Sequence, residues 1–205
     1  IGVLHYDGTS WQNFTKSNTG NMLPTDTVYA MHLEKNGTLW MLTRYGITRK
    51  DASGFSFFPT DTSFLLPVSF SSDITVARGQ VFISSRTGVF VYDLNADIWQ
   101  QVRRSNSPLP GDTVNSLFTD PSDNVWVATM NGFASWTASG ITPYTRSNYS
   151  MPFNGALSIA VTPFDTLIAG YSTVYKWSGN TFINLDSIFS RKFIVDEWCD
   201  SLSFG

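Results

Sequence analysis

The amino-acid sequence repeats itself about every 42 residues, and this period limits the possible folds more than any other feature. Four copies can be aligned, at 23–51, 70–93, 114–137 and 156–177. Equivalent apolar residues follow one another at intervals of 42, 44 and 41 residues, at Trp40, Phe82, Trp126 and Leu167. A repeat of about 40 to 45 residues with strand-forming content is typical of a β-propeller blade.

The first copy contains three segments with strand patterns, and a fourth follows it at 55–58 after a turn signal. Residues 39–43 are apolar on both faces, which predicts a strand covered on both sides, as when blades stack face to face. Residues 47–50 alternate, as a half-exposed strand should. No window of a dozen residues shows helical periodicity without an interrupting glycine or proline, so the protein is predicted to be all-β. The predicted strand centres of the first complete blade are Ala30, Met41, Thr48 and Phe57.

We predict a single β-propeller over residues 1–205, built of four-stranded antiparallel blades, with four complete repeats and partial blades at both ends. The predicted segments are a partial blade at 1–16, blades at 17–58, 59–104, 105–146 and 147–185, and a link with a further first strand at 186–205. This count leaves one blade incomplete, so we expect the chain to be part of a larger propeller. Association through the open terminal blades is expected for the same reason.

Composition excludes several classes of protein. A hydrophobic content of 42% argues against disorder, and a charged content of 14% with a net charge of −3 argues against nucleic acid as a partner. No apolar run approaches the length of a membrane helix, so direct membrane insertion is not expected. Cys199 is the single cysteine, which leaves no intrachain disulfide and no paired-cysteine metal site.

A linker motif precedes the repeat and completes its pattern. It contains Ser-Asn, Leu-Pro, a valine, an aspartate, Asn-Val-Trp-Val-Ala-Thr and a glycine, and it is most complete at 105–136 and 17–51. The pattern resembles the two-component-regulator propeller repeat. The resemblance implies an extracytoplasmic domain (periplasmic, cell-surface or secreted) of a Bacteroidetes-type sensor or secreted protein. The second copy departs from the family at Arg78-Gly79 and Phe82, and the fourth copy has Thr173 where glycine is expected.

Residues capable of catalysis or metal binding are few. His32 lies in a predicted inner strand and His5 in an outer one, so no Ser-His-Asp or Cys-His site is predicted. The turn with Asp120, Asp123 and Asn124 could hold Ca²⁺, but we favour a turn stabilised by its own side chains. The acidic residues near the end are interpreted as a solvated link, and they are Asp186, Asp196, Glu197 and Asp200. No cofactor and no metal are expected.

The predicted function is therefore non-catalytic binding, with no enzymatic activity. The alternative is a propeller-type carbohydrate-active enzyme, a lyase or glycosidase, whose catalytic residues lie outside this segment.

The candidate binding residues lie in the four loops that join second to third strands. Diverse side chains on a repeated frame are typical of a recognition surface, although they could instead only bridge blades. The arginines and tyrosines among them suit another protein, a glycan or a small acidic ligand. The eight candidates are Arg44, Tyr45, Arg86, Thr87, Met130, Asn131, Tyr171 and Ser172.

Overall fold

The computed structural model describes residues 2–60, 66–69, 72–162, 164–179 and 181–186. These residues form an opening hairpin and four four-stranded antiparallel sheets. The hairpin consists of β1 (Val3–Tyr6) and β2 (Trp11–Phe14). The predicted further strand and Cys199 lie outside the described residues, as do the last three of the four acidic residues of the predicted link.

Each sheet is a blade whose strands follow one another in sequence order. Blade I contains β3 (Ala30–Leu33), β4 (Leu39–Thr43), β5 (Gly46–Asp51) and β6 (Gly54–Pro59). Blade II contains β7 (Ile74–Ala77), β8 (Gln80–Ser85), β9 (Gly88–Asp93) and β10 (Ile98–Val102). Blade III contains β11 (Val114–Thr119), β12 (Val125–Thr129), β13 (Gly132–Thr137) and β14 (Gly140–Tyr144). Blade IV contains β15 (Ser158–Val161), β16 (Thr166–Ala169), β17 (Val174–Trp177) and β18 (Phe182–Asn184).

The first strands of the blades pack side by side around a common axis, since β7 contacts β3 and β11, and β11 contacts β15. This arrangement confirms the predicted all-β propeller, and the predicted strand centres of blade I fall within β3 to β6. The single helix among the described residues, α1 (Arg146–Tyr149), is one turn long and lies in the linker between blades III and IV.

The core lies between blades, because successive residues of each second strand point to opposite neighbours. Met41 packs against the opening hairpin at Val3, whereas Trp40 packs against blade II. In the next blade Val81 faces blade I and Phe82 faces blade III. This alternation explains why the second strands are apolar on both faces.

The repeat predicts that the four equivalent apolar residues are all buried between neighbouring sheets, but the structure buries only two of them. Trp40 and Phe82 are 2% and 0% exposed, but Trp126 and Leu167 are only half-buried. Arg49, the residue paired with Trp40 on the next strand, places its guanidinium 5.9 Å from the centre of the Trp40 ring. The residue paired with Trp126 is Ser135, which is too short to cover the ring in the same way.

Leu167 is half-buried for a different reason. Its neighbour Ile168 is fully buried in the cluster shared with blade III. Because adjacent side chains of a strand point to opposite faces, Leu167 points away from blade III.

The structure explains why the linker motif contains an asparagine. In three linkers one asparagine bridges the chain: its side-chain oxygen accepts a backbone N–H three residues earlier, and its amide donates to a carbonyl five residues earlier. Acceptor and donor distances are 2.8 and 2.7 Å for Asn18, 2.8 and 3.0 Å for Asn106, and 2.6 and 2.9 Å for Asn148. The apolar residues of the motif then fill the space beneath each linker, at Leu23, Leu109 and Met151.

Candidate functional site

The antiparallel strand order divides the loops between two ends of the propeller. One end, the linker end, carries the loops between second and third strands together with the linkers that join blades. The opposite end, the turn end, carries the turns between first and second strands and between third and fourth strands. The eight candidate residues therefore share the linker end.

A buried hydroxyl group holds each of the first three candidate loops. The Thr43 hydroxyl donates to the carbonyl of Gly46 at 3.0 Å and accepts the backbone N–H of Tyr45 at 3.2 Å. Ser85 and Thr129 make the same pair of hydrogen bonds in blades II and III. This clamp explains why the residue before each loop varies so little.

The glycine after each of these loops is required by close approach to the fourth strand. Gly46, Gly88 and Gly132 have φ angles of 140°, 120° and 131°. A Cβ atom at these positions would lie 2.1 to 2.3 Å from a carbonyl oxygen of the fourth strand or its end. In blade IV Thr173 takes this place, and its backbone carbonyl accepts the N–H of Gly170 at 2.9 Å.

All eight candidate side chains are exposed on this frame. The loops of blades III and IV meet, because the Tyr171 hydroxyl donates to the Met130 sulfur at 2.6 Å. The loop of blade II is held to its own fourth strand, where the Gln101 amide donates to the Thr87 carbonyl at 2.7 Å. Among the described residues, no side-chain hydrogen bond joins the loop of blade I to that of blade II. Binding by these residues stays a prediction.

The Asp120 turn is stabilised by its own hydrogen bonds. The Asp120 carboxylate accepts the backbone N–H groups of Ser122 at 2.8 Å and Asn124 at 3.0 Å, and the Trp126 indole N–H at 2.9 Å. Burial opposes ionisation of Asp120, but hydrogen bonds from Trp126 and Asn124 outweigh it and lower its pKa. The described part of the chain contains no group of three or more His, Cys, Asp or Glu placed to hold a metal ion.

The two histidines lie apart from each other and from the candidate loops. His32 is half-buried beside Trp40 on β3, and burial lowers its pKa. His5 is exposed on β1, with its ring 6.2 Å from that of Phe14.

The sequence interpretation missed a groove at the turn end. The first turn of blade II is the two-residue Arg78-Gly79, whereas the equivalent turns of blades I and III span five residues, 34–38 and 120–124. Both residues of the short turn have positive φ, 51° and 69°, as the central residues of a two-residue type I′ hairpin turn do. The gap between the longer turns holds two clefts, of about 410 and 510 Å³.

The two clefts form one groove, because both are lined by Glu34, Asn36, Val76 and Asp123. In the sequence, the signal for this groove is the departure of Arg78-Gly79 from the repeat pattern. Its meaning depends on the longer turns of both neighbours, which only the packed blades bring together.

Comparison with known proteins agrees with this architecture. Residues 108–131 match the family model described as two component regulator propeller. No curated protein sequence matches the chain. Among the described residues, no helix has the length and apolar character needed to cross a bilayer.

Solved structures share the fold. The extracellular domain of the putative one component system BT4673 from B. thetaiotaomicron is 19% identical with a TM-score of 0.65, over 89% of this chain and 25% of that one. The extracellular domain of the putative hybrid two component system BT3049 from the same organism is 19% identical with a TM-score of 0.61, over 87% and 24%. Virginiamycin B lyase from Staphylococcus aureus is 14% identical with a TM-score of 0.55, over 77% and 54%.

The chain thus spans about a quarter of the length of the two B. thetaiotaomicron domains. At these identities the likeness establishes the fold and leaves function to the site. The matched repeat lies on the linker motif and on β11 and β12 of blade III. Together with the four blades of equivalent register, it shows that the chain is a β-propeller with a two component regulator propeller repeat at residues 108–131.

Proposed function

We propose that this propeller is a non-catalytic binding domain of an extracytoplasmic sensor or of a secreted or surface protein. One observation carries the proposal: eight exposed, chemically diverse side chains stand at equivalent positions at the linker end, six of them on loops that a buried hydroxyl group clamps. Rigid loops that differ only in their outermost side chains are suited to recognition. The likeness to extracellular domains of B. thetaiotaomicron systems supports the extracytoplasmic location.

The charge of the linker end favours an acidic or sugar-like ligand, or a protein surface with such groups. Six basic residues lie at this end of the described chain, against four acidic ones. The basic residues are Lys16, Arg44, Arg86, Arg103, Arg104 and Arg146, and the acidic ones are Asp26, Asp73, Asp112 and Asp186. Arginine forms forked hydrogen bonds to carboxylates, and tyrosine offers a stacking face for a sugar ring.

A glycan array with neutral and acidic oligosaccharides tests the proposal on the purified chain. We expect binding to acidic glycans without change in their mass after prolonged incubation. Shortened products would instead favour the alternative of a lyase or glycosidase.

Variants of the loops test the position of the site. For a glycan bound on the array, we expect Arg44→Ala, Arg86→Ala and Tyr171→Ala each to weaken affinity several-fold. Asp123→Ala at the turn end serves as the control and should leave affinity unchanged. If all three loop variants bind with wild-type affinity and the control binds more weakly, the site lies at the turn end and the proposed position is wrong.

A further inference from the structure

The turn-end groove has a polar outer part, in which two arginines are held by contacts within the fold. Arg78 donates its backbone N–H to the Asp123 carboxylate at 2.8 Å, and its guanidinium also contacts the Asp123 carbonyl. Arg49 is paired with Asp51 at 2.9 Å. The charge of Arg49 is therefore neutralised within the fold, and the Arg78 guanidinium is held against the main chain of the Asp120 turn.

Towards the axis the groove becomes more apolar and more acidic. Its wall there is formed by Val76, Phe118 and Val161, which come from the first strands of three blades. Glu34 and Asp123 stand on its rim, and Glu34 is fixed in place by the Trp40 indole N–H at 2.9 Å. An apolar wall under a fixed acidic rim matches a ligand that carries both apolar and cationic groups.

The surface around the groove also carries a net negative charge. In the described chain the turn end carries eight acidic residues against five basic ones, the reverse of the linker end. The acidic residues are Asp7, Glu34, Asp51, Asp93, Asp97, Asp120, Asp123 and Asp165, and the basic ones are Lys35, Arg49, Lys50, Arg78 and Lys176. A difference in charge between two ends of one domain steers partners of opposite charge to opposite ends.

We propose that the turn-end groove docks an extended peptide segment of a partner protein, in which lysine or arginine alternates with apolar residues. Alternate side chains of an extended peptide point to opposite sides. One set therefore reaches the apolar wall formed by Val76 and Phe118, while the other meets the carboxylates of Glu34 and Asp123. The proposal is independent of the linker-end site, since the two surfaces lie at opposite ends of the blades.

A labelled model peptide tests this inference. The probe is a fluorescein-labelled peptide of four Lys-Leu repeats, with a Glu-Leu peptide of equal length as its counterpart. Fluorescence anisotropy with the purified chain should show saturable binding of the Lys-Leu peptide that weakens as salt is raised. No binding of this peptide, or equal binding of the Glu-Leu peptide, overturns the proposal.

Two pairs of substitutions locate the binding. The variant Glu34→Gln/Asp123→Asn keeps hydrogen-bond acceptors for Trp40 and Arg78 but removes two charges, and we expect it to weaken binding roughly tenfold. The control Asp7→Asn/Asp97→Asn removes two charges from the turn end outside the groove and should change affinity less than about twofold. Equal weakening in both pairs would show general attraction to an acidic surface and would overturn the groove as the site.

The apolar wall gives a third arm that does not alter charge. Phe118→Ser should weaken binding of the Lys-Leu peptide at high salt, where charge interactions are screened. Circular dichroism of each variant checks that the sheets are retained. Unchanged affinity in a folded Phe118→Ser variant would contradict the role of the wall.

Discussion

The indole N–H of Trp126 donates a 2.9 Å hydrogen bond to the carboxylate of Asp120, six residues earlier on the other side of a turn. Trp40 makes the same bond to Glu34, also six residues earlier. Blades II and IV have neither partner, since Val76 and Val161 stand six residues before Phe82 and Leu167. The acidic residue is thus present where the tryptophan is present, which indicates that the pair acts as one structural unit.

Removing the Trp126 ring should cost about 3 kcal/mol, at the lower end of the usual range for large-to-small core changes, because the ring is only half-buried. The fully buried Trp40 should cost more when it is changed to alanine. Chemical denaturation of Trp126→Ala and Trp40→Ala measures both values. Trp11→Ala is the control, because that ring is 67% exposed. A loss below about 1 kcal/mol for Trp126→Ala would contradict its place in the core.

Part of this architecture can be predicted from sequence because the repeat fixes register. Once Trp40 and Trp126 are aligned, the strand pattern of one copy transfers to the others, and the four blades follow. Burial does not transfer in the same way. It depends on Arg49 in one blade and Ser135 in another, residues of the neighbouring strand that the aligned motif does not include.

The two surfaces differ in the same respect. The linker-end candidates could be predicted because each lies within its own repeat, at a fixed distance from a hydroxyl residue such as Thr129. The turn-end groove could not, because it arises from the difference between the Arg78-Gly79 turn and longer turns in two other repeats. A property of one repeat is visible in a sequence, whereas a gap between repeats requires their packing.

The glycine of the clamped loop should tolerate no side chain. A Cβ atom on Gly132 would lie 2.2 Å from the carbonyl oxygen of Tyr144, and its φ is 131°. Gly140 has the same φ of 131° but nothing within 4 Å of such an atom. Gly140→Ala therefore measures backbone strain alone, of about 1 to 3 kcal/mol. Gly132→Ala should destabilise the fold by a clearly larger amount in thermal unfolding, and equal losses would refute the steric argument.

The asparagine of the linker should stabilise the fold although it is exposed. Asn106 accepts the Arg103 N–H at 2.8 Å and donates to the Gln101 carbonyl at 3.0 Å. Loss of two hydrogen bonds in Asn106→Ala should cost about 1 to 2 kcal/mol of unfolding free energy. Asn95→Ala, at an exposed turn position, should cost less than about 0.5 kcal/mol. If urea unfolding gives the same loss of unfolding free energy for both variants, the linker asparagine does not stabilise the fold.

The turn of the opening hairpin provides a prediction that depends on pH. The Asp7 carboxylate accepts the backbone N–H groups of Ser10 and Thr9, each at 2.8 Å, and the Ser10 hydroxyl at 2.9 Å. These hydrogen bonds, the Ser10 backbone first, lower the pKa of Asp7 from 3.8 to about 2. Because the folded pKa lies below the unfolded one, the contribution of Asp7 to stability is present above pH of about 4 and is lost as pH falls through about 2.

Nuclear magnetic resonance titration of the Asp7 side chain measures this directly. We expect a midpoint of about 2 in the wild type. Ser10→Ala removes the hydroxyl but keeps the backbone N–H, so the midpoint should rise only part of the way towards 3.8. A matched titration of Ser53→Ala should leave Asp7 unchanged, because Ser53 donates to Asp51 in the equivalent turn of blade I. A wild-type midpoint near 3.8 would show that the backbone of this turn does not hold the carboxylate.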